Sequence, residues 1–280
     1  MCSSDLGAHL PDLERIPYFP EHAVQALCGL RTLLLVGARD PVAFFGYPDG
    51  RSRLAPDDCE RLVLAAPHED AIAALEALAE ALGAPARVAA PPRARPALPS
   101  GALDVAALGQ ALAALQPEGA IVIDEGLTSS APWFAAAAAA PPHTVLGLTG
   151  GAIGQGLPCA VGAAVACPDR KVIALQADGS GLYTLQALWT MAREQLDVVT
   201  ILCANRSYRI LQVELARAGI TAPGPAASAL ADLTRPELDF TALAAGFGVP
   251  AVRVDSADTL GKELSRALAT PGPTLIEALL

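Results

Sequence analysis

The sequence predicts an α/β protein built on a doubly wound parallel sheet, and three observations carry that expectation. From residue 105 to the C-terminus, segments with apolar residues at helical spacing alternate repeatedly with short apolar runs of strand character. Those runs are apolar at successive positions rather than at every second one, the pattern of strands covered by helices on two sides. The 280 residues are 52% hydrophobic but only 4% aromatic, so the apolar content is mostly Ala, Leu and Val, enough to fill a large core and incompatible with intrinsic disorder.

Each element follows in order. Residues 31–36 (RTLLLV), ending at Gly37, and residues 61–65 (RLVLA) read as strands buried on two faces. Residues 69–82 (EDAIAALEALAEAL) carry apolar residues at helical spacing and stop at Gly83, where a helix commonly takes a C-terminal glycine. Residues 83–101 concentrate prolines with alanine, arginine and small residues and show neither period, which marks a linker. The expected organisation is therefore a domain at 1–85, a linker at 86–101 and a second domain at 102–280. The first is short for an open sheet and reads as incomplete at its N-terminus.

Beyond the linker, helix 105–115 precedes strand 120–124 (AIVID), helix 157–167 precedes strand 171–176 (KVIALQ), and helix 182–195 precedes strand 198–203 (VVTILC). On the last of these helices Leu182, Leu185, Trp189 and Ala192 mark a core face. Residues 240–247 lead to strand 251–254, and residues 260–269 lead to strand 274–279. The alanine run 135–140, closed by Pro141 and Pro142, reads as a short surface helix.

Composition also excludes functions. Lys plus Arg number 19 against 29 Asp plus Glu, a net charge of -10, which argues against a phosphate-backbone footprint and so against nucleic acid as partner. The six cysteines form no C-x-x-C pair and sit mostly in apolar runs, pointing to a reducing, cytoplasmic compartment. Residues 1–7 are polar with no apolar core behind them, so no signal peptide is expected. Residues 126–168 carry no Asp, Glu, Lys or Arg, a length that could cross a bilayer, but their prolines and glycines would break a lipid-facing helix repeatedly. A buried strand, loop and helix is expected there, with no membrane partner. His9, His22, His68 and His143 lie apart and read as surface residues rather than zinc ligands.

In an open parallel sheet, ligands bind outside the carboxyl ends of strands. Asp178 and Asn205 stand 27 residues apart with one helix and one strand between them, so they end neighbouring parallel strands. A carboxylate, an amide oxygen and nearby carbonyls make a hard-oxygen cluster suited to Mg²⁺, completed by phosphate oxygens and water. Gly179 and Ser180 stand where the next helix begins, so their N–H groups and the Ser180 hydroxyl could hold a phosphate. The alternative for each residue is a plain turn: a strand-to-helix connection with a serine cap, and a turn asparagine.

The stretch 150–180 (GGAIGQGLPCAVGAAVACPDRKVIALQADGS), followed by residues 204–208 (ANRSY), resembles the cofactor-binding domain of thiamine-diphosphate-dependent enzymes, most closely the acetolactate synthase and benzoylformate decarboxylase group. The family signature is Gly-Asp-Gly followed, one crossover later, by Asn-Asn. Here Ala177-Asp178-Gly179 and Ala204-Asn205 stand at those places. The resemblance covers the chain from about residue 100 onward, and more weakly residues 10–85. It implies the thiamine-diphosphate-binding fold, preceded by part of a Rossmann-like middle domain.

The resemblance further implies Mg²⁺ ligation by Asp178 and Asn205, with Ser207 offering a backbone carbonyl, and diphosphate contacts from Gly179, Ser180, Thr128 and Ser129. It places Ile153 under the bend between thiazolium and aminopyrimidine, and the Gly151 carbonyl against the pyrimidine amine. The bent conformer brings that amine to the thiazolium C2 proton, and the ring accepts the electrons released when a 2-oxo acid is decarboxylated. The implied activity is decarboxylation of a 2-oxo acid with transfer or release of the acyl fragment, in an enzyme that is a dimer or tetramer.

Three departures qualify the match. Alanine replaces one residue in each motif half, at Ala177 and Ala204, neither of them an expected ligand. The family's activating glutamate lies on a separate N-terminal domain with no counterpart here, so no catalytic residue is expected in this chain and it is expected to be inactive in isolation. Residues 37–41 (GARDP) read as a plain strand-end loop, and no flavin is expected. The alternative from another class is a non-catalytic relative that keeps the fold for assembly or regulation. A nicotinamide reading fails because Gly151, Gly154 and Gly156 have the wrong spacing for G-x-G-x-x-G, and a hydrolase elbow fails because Asp178 and Leu182 flank Ser180 where glycines are needed.

Overall fold

The computed structural model describes residues 2–8, 10–11, 14–48, 50–85 and 93–280, with the side chains of residues 2–5 outside that description. His9 and linker residues 86–92 therefore lie outside the described residues. The chain divides into two compact units, one of residues Leu13–Ala89 and one of Met1–Asp12 with Ala90–Leu280.

Nine strands are present among the described residues: β1 (Cys2–Leu6), β2 (Thr32–Val36), β3 (Glu60–Ala65), β4 (Ile121–Glu125), β5 (His143–Gly147), β6 (Val172–Ala177), β7 (Val198–Ala204), β8 (Ala251–Val254) and β9 (Thr274–Leu279). In the smaller unit, β2 and β3 pair in parallel and helix Ala71–Ala81 follows, its first N–H groups capped by the Asp70 carboxylate. The expectation that both strands are buried on two faces fails. Leu34, Leu62 and Val63 are exposed and the helix after β3 buries no residue, because two strands with two short helices, Pro20–Leu27 and Ala71–Ala81, cover too little area to enclose either face.

The larger unit is a seven-stranded sheet in the order β1-β5-β4-β6-β7-β9-β8. Every pair is parallel except β1 with β5, so a polar N-terminal segment without strand signal adds one antiparallel edge to the expected sheet. Alternate side chains feed two cores. Val122, Ile173, Leu175, Ile201 and Ile276 pack with Leu108, Leu112, Trp133 and Leu260 on one face. Ile121, Ile123, Val172, Leu202 and Leu275 pack with Leu157, Leu188, Met191 and Phe240 on the other. This is the doubly wound arrangement that continuous apolar strands demand.

Two helices sit differently from their sequence pattern. After β6 the chain makes one helical turn (Asp178–Gly181) and several further turns before helix Ala187–Arg193 starts. That break shifts the helical phase, so Leu188 and Met191 point inward while Trp189, expected in the core, is exposed. The alanine run is divided between helix Ala131–Ala136 and the short 3₁₀ turn Ala137–Ala139, and Ala137 and Ala140 are buried beside Trp133, so it is not a surface helix. The uncharged stretch 126–168 resolves into these short helices, β5 and helix Gly156–Ala166. Among the described residues no helix is long and apolar enough to cross a membrane.

His22 and His68 are exposed, but His143 is buried against Trp133, with its Nδ1 2.8 Å from the Pro141 carbonyl oxygen. Burial pushes its pKa below the ordinary histidine value, partly opposed by that carbonyl. The unfolded chain then takes up a proton at a higher pH than the folded one. The stability His143 allows is complete above the ordinary histidine pKa and is lost as pH falls through it toward the folded value. Denaturant titrations across that acidic range should show a shallower loss of stability in His143→Gln than in the wild type; equal slopes would refute the assignment.

Candidate functional site

The sheet order fixes where a site can form. The connection after β4 runs to β5 on one side, and the chain then returns to place β6 on the other side of β4. The carboxyl ends of β4 and β6 thus flank a topological switch point, the crevice in which open α/β sheets bind ligands. Three polar segments meet there: Glu125 to Ser130 after β4, the glycine-rich loop 148–155 after β5, and Asp178 to Ser180 after β6, with Asn205 to Tyr208 beside them after β7.

Asp178 is 1% exposed and begins the turn after β6. Its Oδ1 accepts from the Gly179 N–H at 2.8 Å, and its Oδ2 accepts from the Arg206 N–H, two residues beyond β7, at 2.7 Å. The Asn205 carboxamide oxygen accepts from the Ser207 N–H at 2.9 Å. Carboxylate and carboxamide are thus attached to successive N–H groups of one tight turn, whose left-handed residue is Arg206 with φ 58°. Burial raises the Asp178 pKa; the two N–H bonds and the Arg206 charge pull the other way without cancelling it.

The Arg206 guanidinium does not neutralise Asp178. It hydrogen-bonds to Glu277 on β9 at 3.0 Å and to the Leu238 carbonyl, and Arg253 binds the other Glu277 oxygen at 2.9 Å. Glu277 is fully buried between them and ties the Asn205 turn to the neighbouring strand. Asp178 forms no ion pair among the described residues, and it stands at the tip of the strand next to the one whose tip carries the Asn205 carboxamide and the Ser207 backbone. That donor set fits a hard divalent cation that completes its shell with phosphate oxygens and water. Among the described residues there is no cluster of three His, Cys, Asp or Glu side chains to offer another metal centre.

Gly179 packs under the Tyr208 ring, where an added Cβ would lie 2.4 Å from a ring carbon. Ser180 is buried, and its hydroxyl faces the protein: it donates to the Ala177 carbonyl at 3.2 Å and accepts from Gln176 Nε2 at 2.7 Å. Thr128 is exposed in the turn after β4, whereas Ser129 beside it is buried. Gly151 (φ 68°) and Ile153 lie in the glycine-rich loop, where the Gly151 carbonyl accepts from the Ile153 N–H at 3.1 Å.

Three participants had no assigned role in the sequence pattern. Glu125 ends β4 fully buried and reaches the glycine-rich loop; Gln176, next to the last residue of β6, holds Ser180; Glu277 holds Arg206. Each is a polar residue at the end of, or inside, an otherwise apolar strand, which is the signal that marks them. Their partners lie 4 to 71 residues away, so local spacing does not reveal what they hold.

Comparison with known proteins follows the same geometry. The family described as thiamine pyrophosphate enzyme, C-terminal TPP binding domain, matches residues 126–278. A Mycobacterium tuberculosis (strain ATCC 25618 / H37Rv) protein described as "Putative acetolactate synthase large subunit IlvX" is 48% identical over 275 residues, 98% of this chain and 53% of that protein. Benzoylformate decarboxylase of Pseudomonas aeruginosa is 35% identical over 168 residues, 59% of this chain and 30% of that enzyme. Among solved structures, the thiamine diphosphate-dependent 4-hydroxybenzoylformate decarboxylase of Rhodococcus jostii RHA1 superposes with a TM-score of 0.75 at 27% identity, covering 94% of this chain and 51% of that one. The chain thus spans about half the length, or less, of these relatives.

Proposed function

Because this chain belongs to the thiamine pyrophosphate enzyme family and carries that family's C-terminal cofactor-binding domain, we propose that it binds thiamine diphosphate through Mg²⁺ as part of an acetolactate synthase-like decarboxylase or carboligase acting on a 2-oxo acid. The observation that carries this reading is the pairing of Asp178 and Asn205 on one turn at the tips of β6 and β7. In the proposed site Asp178, Asn205 and the Ser207 carbonyl hold the cation. The diphosphate would be held by the backbone at Gly179 and Ser180 with the exposed Thr128 from the turn after β4, while Ser129 is buried and the Gly179 N–H already donates to Asp178. The Gly151 carbonyl and the Ile153 side chain form the end that would hold the rings. Bound cofactor would supply an electron sink for the carbanion left by decarboxylation.

What the chain's own residues contribute is placement. The Glu277 pair fixes the Asn205 turn, and the Tyr208 ring packs against Gly179. Within this proposal residues 102–280 form the cofactor domain and the middle domain, joined through 86–101, is narrowed from the expected 1–85 to residues 13–85, because β1 pairs with β5 in the larger sheet; the assembled enzyme is a homo-dimer or tetramer. A reducing, cytoplasmic location is proposed on the sequence's six cysteines, which form no C-x-x-C pair and sit mostly in apolar runs.

Isothermal calorimetry of the 280-residue chain with thiamine diphosphate should give heat in the presence of Mg²⁺ and none after a chelator is added. Binding that ignores the chelator would remove Asp178 and Asn205 as ligands. Heat from neither condition would favour the scaffold reading.

A further inference from the structure

We propose that Glu125 is a positioning residue whose buried carboxylate sets the shape of the glycine-rich loop 148–155. It thereby places the Gly151 carbonyl and the Ile153 side chain. The inference rests on the reading of the site as a thiamine diphosphate crevice, and adds to it a residue outside the proposed ligand set.

The geometry is specific. Glu125 Oε1 accepts from the Gly154 N–H at 2.6 Å, and Oε2 accepts from the Gly156 N–H, the first residue of helix Gly156–Ala166. Glu125 is 1% exposed, and among the described residues no Lys or Arg forms an ion pair with it. Its charge is met instead by two backbone N–H groups and by the N-terminal end of an 11-residue helix. An unpaired buried carboxylate would be costly, so the loop and the carboxylate each hold the other in place.

The same loop is closed at two further points. Gln155 Oε1 accepts from the Thr149 hydroxyl at 2.6 Å, and the Thr184 hydroxyl donates to the Gly154 carbonyl at 2.9 Å. Gly156 has no room to move: an added Cβ would lie 2.4 Å from Gln176 Oε1 and 2.9 Å from the Glu125 side chain. A carboxylate suits this position better than a carboxamide because it offers two acceptors to two donors, whereas a glutamine leaves one N–H facing another donor.

The ring end and the diphosphate end of the site can be probed separately. Calorimetry with Mg²⁺ and thiamine diphosphate tests both ends; Mg²⁺ with inorganic pyrophosphate tests the Asp178 end alone. Glu125→Gln should weaken thiamine diphosphate about tenfold or more, the scale of one lost charge-assisted hydrogen bond, and leave pyrophosphate within about twofold. Thr184→Val, which loosens the loop without touching a buried charge, should show the same selectivity at smaller size. Equal weakening of both ligands, or no change in either, overturns the proposal. Hydrogen exchange in the ligand-free chain gives a reading independent of the cofactor: deuterium uptake at residues 148–157 should rise in Glu125→Gln, and unchanged uptake overturns the proposal even if the cofactor binds. Absence of any binding by the wild type would instead overturn the cofactor reading, and with it the role assigned to Glu125.

Discussion

Asp178→Asn should cost at least about a hundredfold in Mg²⁺-dependent affinity for thiamine diphosphate, because it removes the one ionised ligand from the proposed cation site. The substitution keeps the side chain's size and one of its acceptors, so the Arg206 or the Gly179 N–H retains a partner. Two effects on the ligand-free fold oppose each other. One N–H loses its acceptor, while a buried charge whose pKa is already pushed upward disappears.

The sign of the second effect follows from linkage. A carboxyl group whose folded pKa is raised favours folding fully below its ordinary pKa and loses that contribution as pH rises through the folded value, so at neutral pH its ionisation works against the fold. The melting temperature of the ligand-free variant should therefore change little. Calorimetry beside a thermal melt checks both halves: wild-type affinity in the variant would remove Asp178 from the site, and a collapsed melt would make it a structural residue.

Gly109→Ala should destabilise the protein by about 2 kcal/mol or more, although alanine is the better helix former. Gly109 lies inside helix Val105–Leu115, where the exchange would on propensity alone stabilise by about 1 kcal/mol. In the folded chain, however, an added Cβ would lie 2.4 Å from the backbone nitrogen of Trp133 and 2.8 Å from the Pro132 carbonyl carbon. These are backbone atoms of helix Ala131–Ala136, which cannot rotate away as a side-chain tip can. Separating the two helices would open the core around Trp133, at the upper end of the roughly 1–3 kcal/mol cost of overpacking.

The control is Gly162→Ala in helix Gly156–Ala166, where an added Cβ meets nothing within 4 Å. It should stabilise by about 1 kcal/mol. Urea titrations of both variants against the wild type measure the pair. The same sign of change at both positions would contradict the packing described here.

Much of the fold is legible because it is written in short-range pattern. Strands at 120–124, 171–176, 198–203, 251–254 and 274–279 are apolar runs whose neighbours along the chain suffice to identify them, and the described strands lie within a residue or two of those limits. β5 was expected only as a buried strand somewhere within 126–168, its limits blurred because His143 and Thr144 dilute its apolar run, and β1 escaped because a polar segment becomes a strand only when an open sheet edge is available to pair with. The helix after β6 was misjudged in phase for a related reason. Its apolar residues fit a continuous helix, but the turns after Asp178 interrupt it, and no local feature other than Gly179 and Gly181 announces the break.

The positions of Asp178 and Asn205 at strand ends came from spacing alone, since a crossover of fixed length must return the chain to the same edge of the sheet. Spacing could not say that Ser180 turns its hydroxyl inward to Gln176, that Arg206 spends its charge on Glu277, or that Glu125 holds the glycine-rich loop. Nor could it give the opposite signs expected at Gly109 and Gly162. Periodicity and propensity are properties of a segment and its near neighbours, and they determine which elements form and which residues arrive at the carboxyl edge. Hydrogen-bond partners and the free space around a Cβ are set by segments that meet only when the sheet closes its order, and those the tertiary structure alone decides.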